Sequence, residues 1–383
     1  MATEKIYYQD AHQAAFQARV LSCQPGKHGY DVVLDRTCFY PEGGGQPGDT
    51  GFLSGVRVTD THERSGEIVH FCEQPLADGQ TVDGQIDYER RFAFMQLHSG
   101  EHILSGVVHR RFGYENVGFH MGADFVTIDF SGMLTPEELS AVEAEANEWV
   151  WKNVPIEIAY PDAEALKTIP YRSKKELTGQ VRIVTIPGAD ICACCGTHVS
   201  NTGEIGLIKI FSCVKFHDGV RLELLCGRRA LAYLSEIAEQ NRRVSGLLSA
   251  KPLETAAAVQ RLLDAEAAQK QRAAGLEEAV FAQKAQALMG KGNVLLFEPA
   301  MSPDSLRRLT DLVMSACGGR AAIFAGGDAE GYKYAVGEQN GDLRQLVKDL
   351  NAQLHGRGGG KPFFVQGSVQ TGRAEIEAFF AGR

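Results

Sequence analysis

Two histidines four residues apart, in the stretch His98-Ser99-Gly100-Glu101-His102, constrain this chain more than any other feature. Their surroundings predict a helix from Tyr88 to Phe112, and positions i and i+4 on a helix lie one turn apart on one face. Both imidazoles can therefore reach a common centre. Some ninety residues later, Cys194-Cys195-Gly196-Thr197-His198 offers a thiol and an imidazole, again four apart. Zn²⁺ takes nitrogen and sulfur donors in a roughly tetrahedral set. One pair on a helix and one on a loop require a domain that folds the second onto the first. Either pair alone also fits an ordinary surface or turn role. Together, in one domain-sized interval, they point to a metal site at His98, His102, Cys194 and His198.

The cysteine usage bears on that reading. There are nine, an odd count, and Cys192, Cys194 and Cys195 crowd together. The N-terminus Met1-Ala2-Thr3-Glu4-Lys5 carries no apolar leader, so reduced thiols, a metal and a cytoplasmic setting are expected rather than a disulfide framework. No window reaches the roughly 18 unbroken apolar residues of a membrane span. The charge balance is 39 basic against 48 acidic residues, a net −9. Without a polybasic run, any nucleic-acid contact must use a local basic patch.

At 383 residues the chain is long enough for several domains. The expected class is α+β multidomain. Residues 1–87 carry short β-branched runs between Gly, Pro and Asp turns, which predicts a small β-barrel. Within it lies Phe39-Tyr40-Pro41-Glu42-Gly43-Gly44-Gly45-Gln46-Pro47-Gly48-Asp49. Three consecutive glycines allow close backbone approach to another surface. Gly43, Gly44 and Gln46 are thus either part of a hairpin loop or the edge of a site. Residues 88–226 mix helix and strand. Thr135-Pro136-Glu137-Glu138 reads as a capped helix start, with a helix running to about Asn153. Residues 227–290 are rich in Ala, Leu, Gln and Glu, and Pro252 interrupts them. They read as a helical hairpin, serving as a spacer or a binding face. Residues 291–383 alternate strand and helix as a small α/β unit. Its Gly356-Arg357-Gly358-Gly359-Gly360-Lys361 reads as a Gly-rich turn, either solvated or holding a phosphate through Arg357 and Lys361.

Three chemistries remain open on spacing alone. The pattern His98-x-x-Glu101-His102 fits an inverted zinc peptidase motif, with Glu101 as general base. That reading leaves Cys194 and His198 idle. Four protein donors also describe a closed structural zinc site in a non-catalytic RNA-binding module. An open coordination position would instead lower the pKa of bound water toward about 7 and make a hydrolase.

The glycine-rich stretch 39–49, the His98–His102 pair, Phe119-His120-Met121-Gly122 and Cys194-Cys195-Gly196-Thr197-His198 stand in the order and approximate spacing of a known family. In these residues the chain resembles free-standing alanyl-tRNA editing proteins and the editing half of alanyl-tRNA synthetase. The 227–290 helices and the Gly-rich end unit resemble that synthetase's C-terminal part, which makes this the long form. The resemblance implies an editing (deacylase) domain at 88–226, with Zn²⁺ on His98, His102, Cys194 and His198. It implies hydrolysis of tRNA(Ala) mischarged with Ser, or with Gly, sparing Ala-tRNA(Ala), and no ATP-dependent charging. Gln46, His120 and Thr127, with Gly43 and Gly44, are expected near the amino-acid pocket. Glu101 is expected as a base or as a group orienting a ligand histidine. Arg357 and Lys361 are expected at the tRNA, and a homodimer through the C-terminal region. The zinc loop often has Gly where this chain has Cys195.

Overall fold

A computed structural model describes residues 3–27, 29–173 and 179–382. The chain divides into two compact units, Met1–Arg243 and Val244–Arg383. The division falls inside a helix of the 227–290 stretch that the sequence reading set apart as a domain of its own.

In the first unit, six strands follow one another: β1 (Ala15–Gly26), β2 (Gly29–Leu34), β3 (Gly51–Leu53), β4 (Val56–Arg64), β5 (Glu67–Cys72) and β6 (Thr81–Ile86). They pair in the ring β1-β2-β5-β4-β3-β6, and β6 closes onto β1 by antiparallel pairing from Ala15 opposite Gln85 to Arg19 opposite Thr81. The alternation in β6, with Val82 and Ile86 inward, supplies one side of a core that includes Val32, Leu34, Phe39, Leu53 and Val58.

Helix α1 (Tyr88–Phe112) follows and is buried along most of its length. Two sheets cover it. One is four-stranded, in the order β12-β13-β8-β7, from β7 (Asn116–Met121), β8 (Val126–Phe130), β12 (Ile208–Phe216) and β13 (Gly219–Cys226). The other is three-stranded and antiparallel, from β9 (Glu157–Ala159), β10 (Ile183–Ile186) and β11 (Asp190–Ala193). Helix α2 (Pro136–Lys152) packs on the same core. It starts in a capping box, with the Thr135 hydroxyl accepting from Glu138 N and the Glu138 carboxylate accepting from Thr135 N. The apolar core runs from Met95 and Leu104 on α1 to Val142 on α2 and Leu222 on β13.

One buried ion pair fixes the glycine-rich loop to α1. Arg91 and Asp49 are both essentially inaccessible, and Arg91 Nε donates to Asp49 Oδ1 at 3.1 Å. Asp49 Oδ2 also accepts from Tyr40 N at 2.7 Å. The two ends of the loop are thereby closed, and the loop is set beside the helix that carries the histidines.

Helix α3 (Gly227–Leu247) crosses the division, and the second unit opens with α4 (Thr255–Ala287). A five-stranded sheet follows in the order β14-β15-β16-β18-β17. Its strands are β14 (Gly292–Glu298), β15 (Gly318–Gly327), β16 (Gly331–Glu338), β17 (Arg357–Lys361) and β18 (Phe364–Val369). Helix α5 (Pro303–Cys317) and the end of α4 cover one face, against Ala321, Ile323 and Ala325. Helices α6 (Arg344–Gln353) and α7 (Arg373–Phe380) cover the other, against Ala322 and Phe324. Alternation along β15 thus feeds both layers. The expected Gly-rich turn at 357–361 is instead the exposed edge strand β17, paired with β18 from Arg357 opposite Ser368 to Lys361 opposite Phe364.

Candidate metal centre

Helix α1 presents His98 and His102 one turn apart, as their spacing requires. The loop after β11 brings Cys194 and His198 to them, and the four donor atoms lie within 4.8 Å of one another. Cys194 Sγ is 3.4 Å from His98 Nε2 and 3.4 Å from His198 Nε2. The approach depends on Gly196, because a Cβ there would meet His98 Cε1 at 2.0 Å.

Each ring keeps its other nitrogen occupied. His98 Nδ1 donates to Gln46 Oε1 at 3.1 Å, and His102 Nδ1 donates to Asp190 Oδ2 at 3.0 Å. Ser99 Oγ lies 3.2 Å from His198 Nδ1. All three Nε2 atoms are left facing the shared centre, which is how histidine ligands are oriented at metal sites.

These supports are themselves anchored. Gln46 Nε2 donates to Thr197 Oγ1 at 2.8 Å, and Gln46 Oε1 accepts from Thr197 N at 3.2 Å. Asp190 takes both Arg172 Nε at 2.8 Å and Arg172 Nη2 at 2.9 Å. Burial alone would raise the Asp190 carboxyl, but the bonds from His102 and Arg172 bring it below the usual carboxylate range. The Cys loop is held from outside by Arg182, whose Nη1 donates to Cys194 O at 2.8 Å and to Gly196 O at 3.0 Å.

The three clustered cysteines part company here. Burial raises the Cys194 thiol, but the charges of His98, His102 and His198 hold it well below the ordinary thiol range. Burial pushes the Cys192 thiol up to about 11. Cys195 is exposed, and its carbonyl accepts from Tyr8 Oη at 3.0 Å. Only Cys194 combines a thiolate bias with the imidazole cluster.

A cavity of roughly 520 Å³ opens over the centre, walled by Gly44, Gly45, Phe119, Cys192 and Cys195, with His98, His102, Glu101 and Cys194 on its surface. The Gly-rich loop turns tightly there, with Gly43 and Gln46 exchanging backbone hydrogen bonds of 3.0 Å. Gly45 O accepts from Met121 N at 3.1 Å, and a Cβ on Gly45 would strike Phe119 at 2.8 Å. Gly44 therefore lines the cavity, and Gly43 anchors its rim by accepting from Tyr40 Oη at 3.0 Å.

Several expected residues stand elsewhere. Gln46 is fully buried beneath the cavity, with its Oε1 bonded to His98 Nδ1. His120 and Thr127 are directly paired across β7 and β8, so they share one sheet face. Side chains alternate along β7, so that face is opposite the one carrying Val117 and Phe119 into the cavity. Phe119, not His120, reaches the centre. Glu101 is buried, and its Oε1 accepts from Ser105 Oγ at 2.8 Å and from Asn116 Nδ2. Its Oε2 lies 3.9 Å from His102 Nε2. Arg357 and Lys361 lie on β17 of the second unit. The sequence reading missed Ser99, Thr197, Arg172 and Asp190. Asp190 and Cys192 are both buried on β11, and Cys194 follows at the same two-residue period. That period was the available signal.

The comparisons agree with this layout. Residues 181–245 match the threonyl and alanyl tRNA synthetase second additional domain, residues 2–90 the class II (A) tRNA synthetases, and residues 290–381 the DHHA1 domain. An alanyl-tRNA editing protein AlaX-L from Pyrococcus horikoshii is 29% identical over 97% of this chain and 96% of its own length. Alanine–tRNA ligases from Pyrobaculum arsenaticum and Pyrobaculum calidifontis are 32% and 34% identical over 95% and 97% of this chain. The chain spans only 42% and 43% of those ligases. The C-Ala domain of Aquifex aeolicus alanyl-tRNA synthetase aligns at 15% identity and a TM-score of 0.21, over 24% of this chain and 89% of that one. The domain matches and this near-complete overlap make the chain similar to the alanyl-tRNA editing protein AlaX-L and to part of the alanine–tRNA ligases.

Proposed function

We propose that this chain is a zinc-dependent aminoacyl-tRNA deacylase that clears tRNA(Ala) mischarged with serine, and with glycine, while sparing Ala-tRNA(Ala). The observation that carries the reading is the convergence of three oriented imidazoles and one thiolate at the floor of a cavity, in a chain matched end to end by an alanyl-tRNA editing protein.

The donor set suits zinc. Two bonds of about 2.3 and 2.0 Å at a tetrahedral angle separate a sulfur from a nitrogen by about 3.5 Å, close to the 3.4 Å found for Cys194 Sγ and its two imidazoles. His98, His102, Cys194 and His198 would hold the ion. When bound, it would supply a fixed positive charge beside the ester carbonyl.

The protein's own residues do the rest. Gln46, Asp190 and Ser99 keep the three rings in one orientation. The loop backbone at Gly44 and Gly45, together with Phe119, bounds the space for a small aminoacyl group and limits water. Glu101, tied by Ser105 and Asn116, acts as a positioning residue under His102. The peptidase alternative needs Glu101 as a free base and gives Cys194 and His198 no role, so the cluster favours the deacylase.

The selectivity follows from general physics. An alanine pocket rejects serine, which merely adds a hydroxyl, by only about a hundredfold. A second site that hydrogen-bonds the hydroxyl rejects alanine far better, because its polar groups would be left unpaired.

The test is deacylation of Ser-tRNA(Ala) against Ala-tRNA(Ala), with and without a chelator. Chelator-sensitive loss of the seryl ester with the alanyl ester spared is the expected result. Metal retained with neither ester cleaved would overturn the reading in favour of a structural metal in an RNA-binding module.

A further inference from the structure

A second cavity of roughly 500 Å³ lies outside the metal centre, lined by Pro47, Arg90, Phe94, Met121, Gly122 and Arg229. It shares a wall with the first. The glycine-rich loop gives Gly44 and Gly45 to the metal cavity and Pro47 to this one. Strand β7 gives Val117 and Phe119 to the metal cavity, then Met121 to this one, with Gly122 just beyond its end.

The cavity holds two half-buried guanidiniums. Among the described residues, neither has a carboxylate oxygen within 4.0 Å. Arg90 Nη1 donates to Gly48 O at 2.7 Å, and its guanidinium lies 4.6 Å from the Phe94 ring centroid. Arg229 Nη2 donates to Asp124 O at 2.8 Å, to Ala123 O, and to Gly122 O at 3.4 Å. Carbonyls and a ring face are the direct partners of these cations, and each keeps unused N–H donors. Burial pulls both guanidiniums below their usual range. The carboxylates that act on them, Asp49, Asp60 and Asp87 on Arg90 and Asp124 on Arg229, make no direct ion pair with them, so a ligand anion still offsets part of the cost of half-burying each cation. Planar guanidiniums suit phosphate oxygens in particular.

We infer that the Arg90–Arg229 cavity binds a backbone phosphate of the nucleic acid whose aminoacylated 3′ end enters the metal cavity. The inference rests on the tRNA reading above and adds the contact that draws the 3′ end across the shared wall.

The experiment measures binding of uncharged tRNA(Ala) to the full chain across a range of KCl concentrations, for the native protein and for Arg90→Gln, Arg229→Gln and the double variant. Each cation on a phosphate contributes about one unit to the slope of log affinity against log salt. Each single variant is expected to weaken binding about threefold to tenfold and to flatten the slope by about one, and the double by about two. Arg90→Lys and Arg229→Lys keep the charge but lose the fork that holds Gly48 and the β7–β8 turn. They are expected to keep the slope. An unchanged slope in the Gln variants overturns the inference. Lys variants as weak as the Gln variants overturn it too, since the arginines would then serve as loop staples. Inorganic phosphate is a separate probe. If it stabilises the native protein thermally but not the double variant, while the tRNA slope is unchanged, the cavity belongs to a free anion and the inference falls. Salt-dependent tRNA binding through these arginines with no ester cleavage would instead remove the deacylase reading and leave the phosphate site standing.

Discussion

Buried histidines occur in two places in the first unit, and they are buried alike. His70 in the barrel is 0% exposed, while His98, His102 and His198 are 2%, 2% and 3% exposed. What separates them is the division of the ring nitrogens. His70 Nδ1 donates to Val32 O at 3.0 Å, and its Nε2 accepts from Thr37 Oγ1 at 2.8 Å. Both nitrogens are spent within the barrel, and the ring is a piece of core. In the cluster, one nitrogen of each ring is spent and the other faces a thiolate and two more imidazoles. Burial does not mark a candidate ligand; convergence of the unspent nitrogens does.

The largest break of that comparison is removal of a cluster imidazole. His102→Ala and His198→Ala are each expected to abolish metal retention and lower deacylation by at least about a hundredfold, since a lost ligand exceeds the 10–100-fold cost of a lost supporting group. Metal analysis after dialysis, paired with a deacylation assay, checks this. A variant with full metal and full activity removes that residue from the centre. His70→Asn is the matched control and should retain metal in full, because Asn can still donate to Val32 O.

The same histidine gives the barrel a pH signature. Burial lowers His70 to about 4, with the bond to Val32 O only partly opposing it, against about 6.5 for an unfolded histidine. Between these values the unfolded chain binds a proton that the folded barrel refuses. Stability is therefore complete above about pH 6.5 and falls as pH drops toward 4, by about 3 kcal/mol in all. Denaturant unfolding followed from pH 7 to pH 4 should show this slope in the native protein and a shallower one in His70→Asn, where His198, also lowered by burial, remains. An equal slope in both would place the acid sensitivity elsewhere.

The legible parts of the fold were those set by local period. The helix carrying His98 and His102 and the Thr135 capping box follow from short windows of sequence. The four-residue donor set was also readable, because each half keeps a fixed spacing. Register was not readable. Which face of β7 reaches the cavity decides between Phe119 and His120, and that depends on pairing with β8 through partners such as Ile128 opposite Phe119. The run Arg357–Lys361 looked like a turn because of its glycines, yet it needs only one neighbour to become an edge strand, and β18 provides it. Asp190 was invisible for a related reason: its role comes from β11 lying against α1, eighty-eight residues away from His102.

The supporting groups give the finest test of the comparison, because they grade how much a fixed ring orientation is worth. Asp190 is charged and bonds His102 directly, while Gln46 is neutral and bonds His98. Replacing the group behind a ligand histidine costs about 10–100-fold in metal affinity, and a charged partner strengthens the bond it accepts. Asp190→Asn is therefore expected near the upper end of that range. Gln46→Met, which preserves length, is expected near the lower end, about tenfold. Competition against a chromophoric chelator measures both on one scale. The Gln46 variant carries a further consequence. Gln46 Oε1 also accepts from Thr197 N, so its removal leaves a fully buried backbone donor unpaired. That adds a stability cost of about 1–3 kcal/mol, which a metal effect alone would not produce. If Gln46→Met lowers stability but leaves metal affinity intact, the ring of His98 is oriented by Cys194 and the helix alone. The distinction between the two histidine environments would then rest on the thiolate rather than on the spent nitrogens.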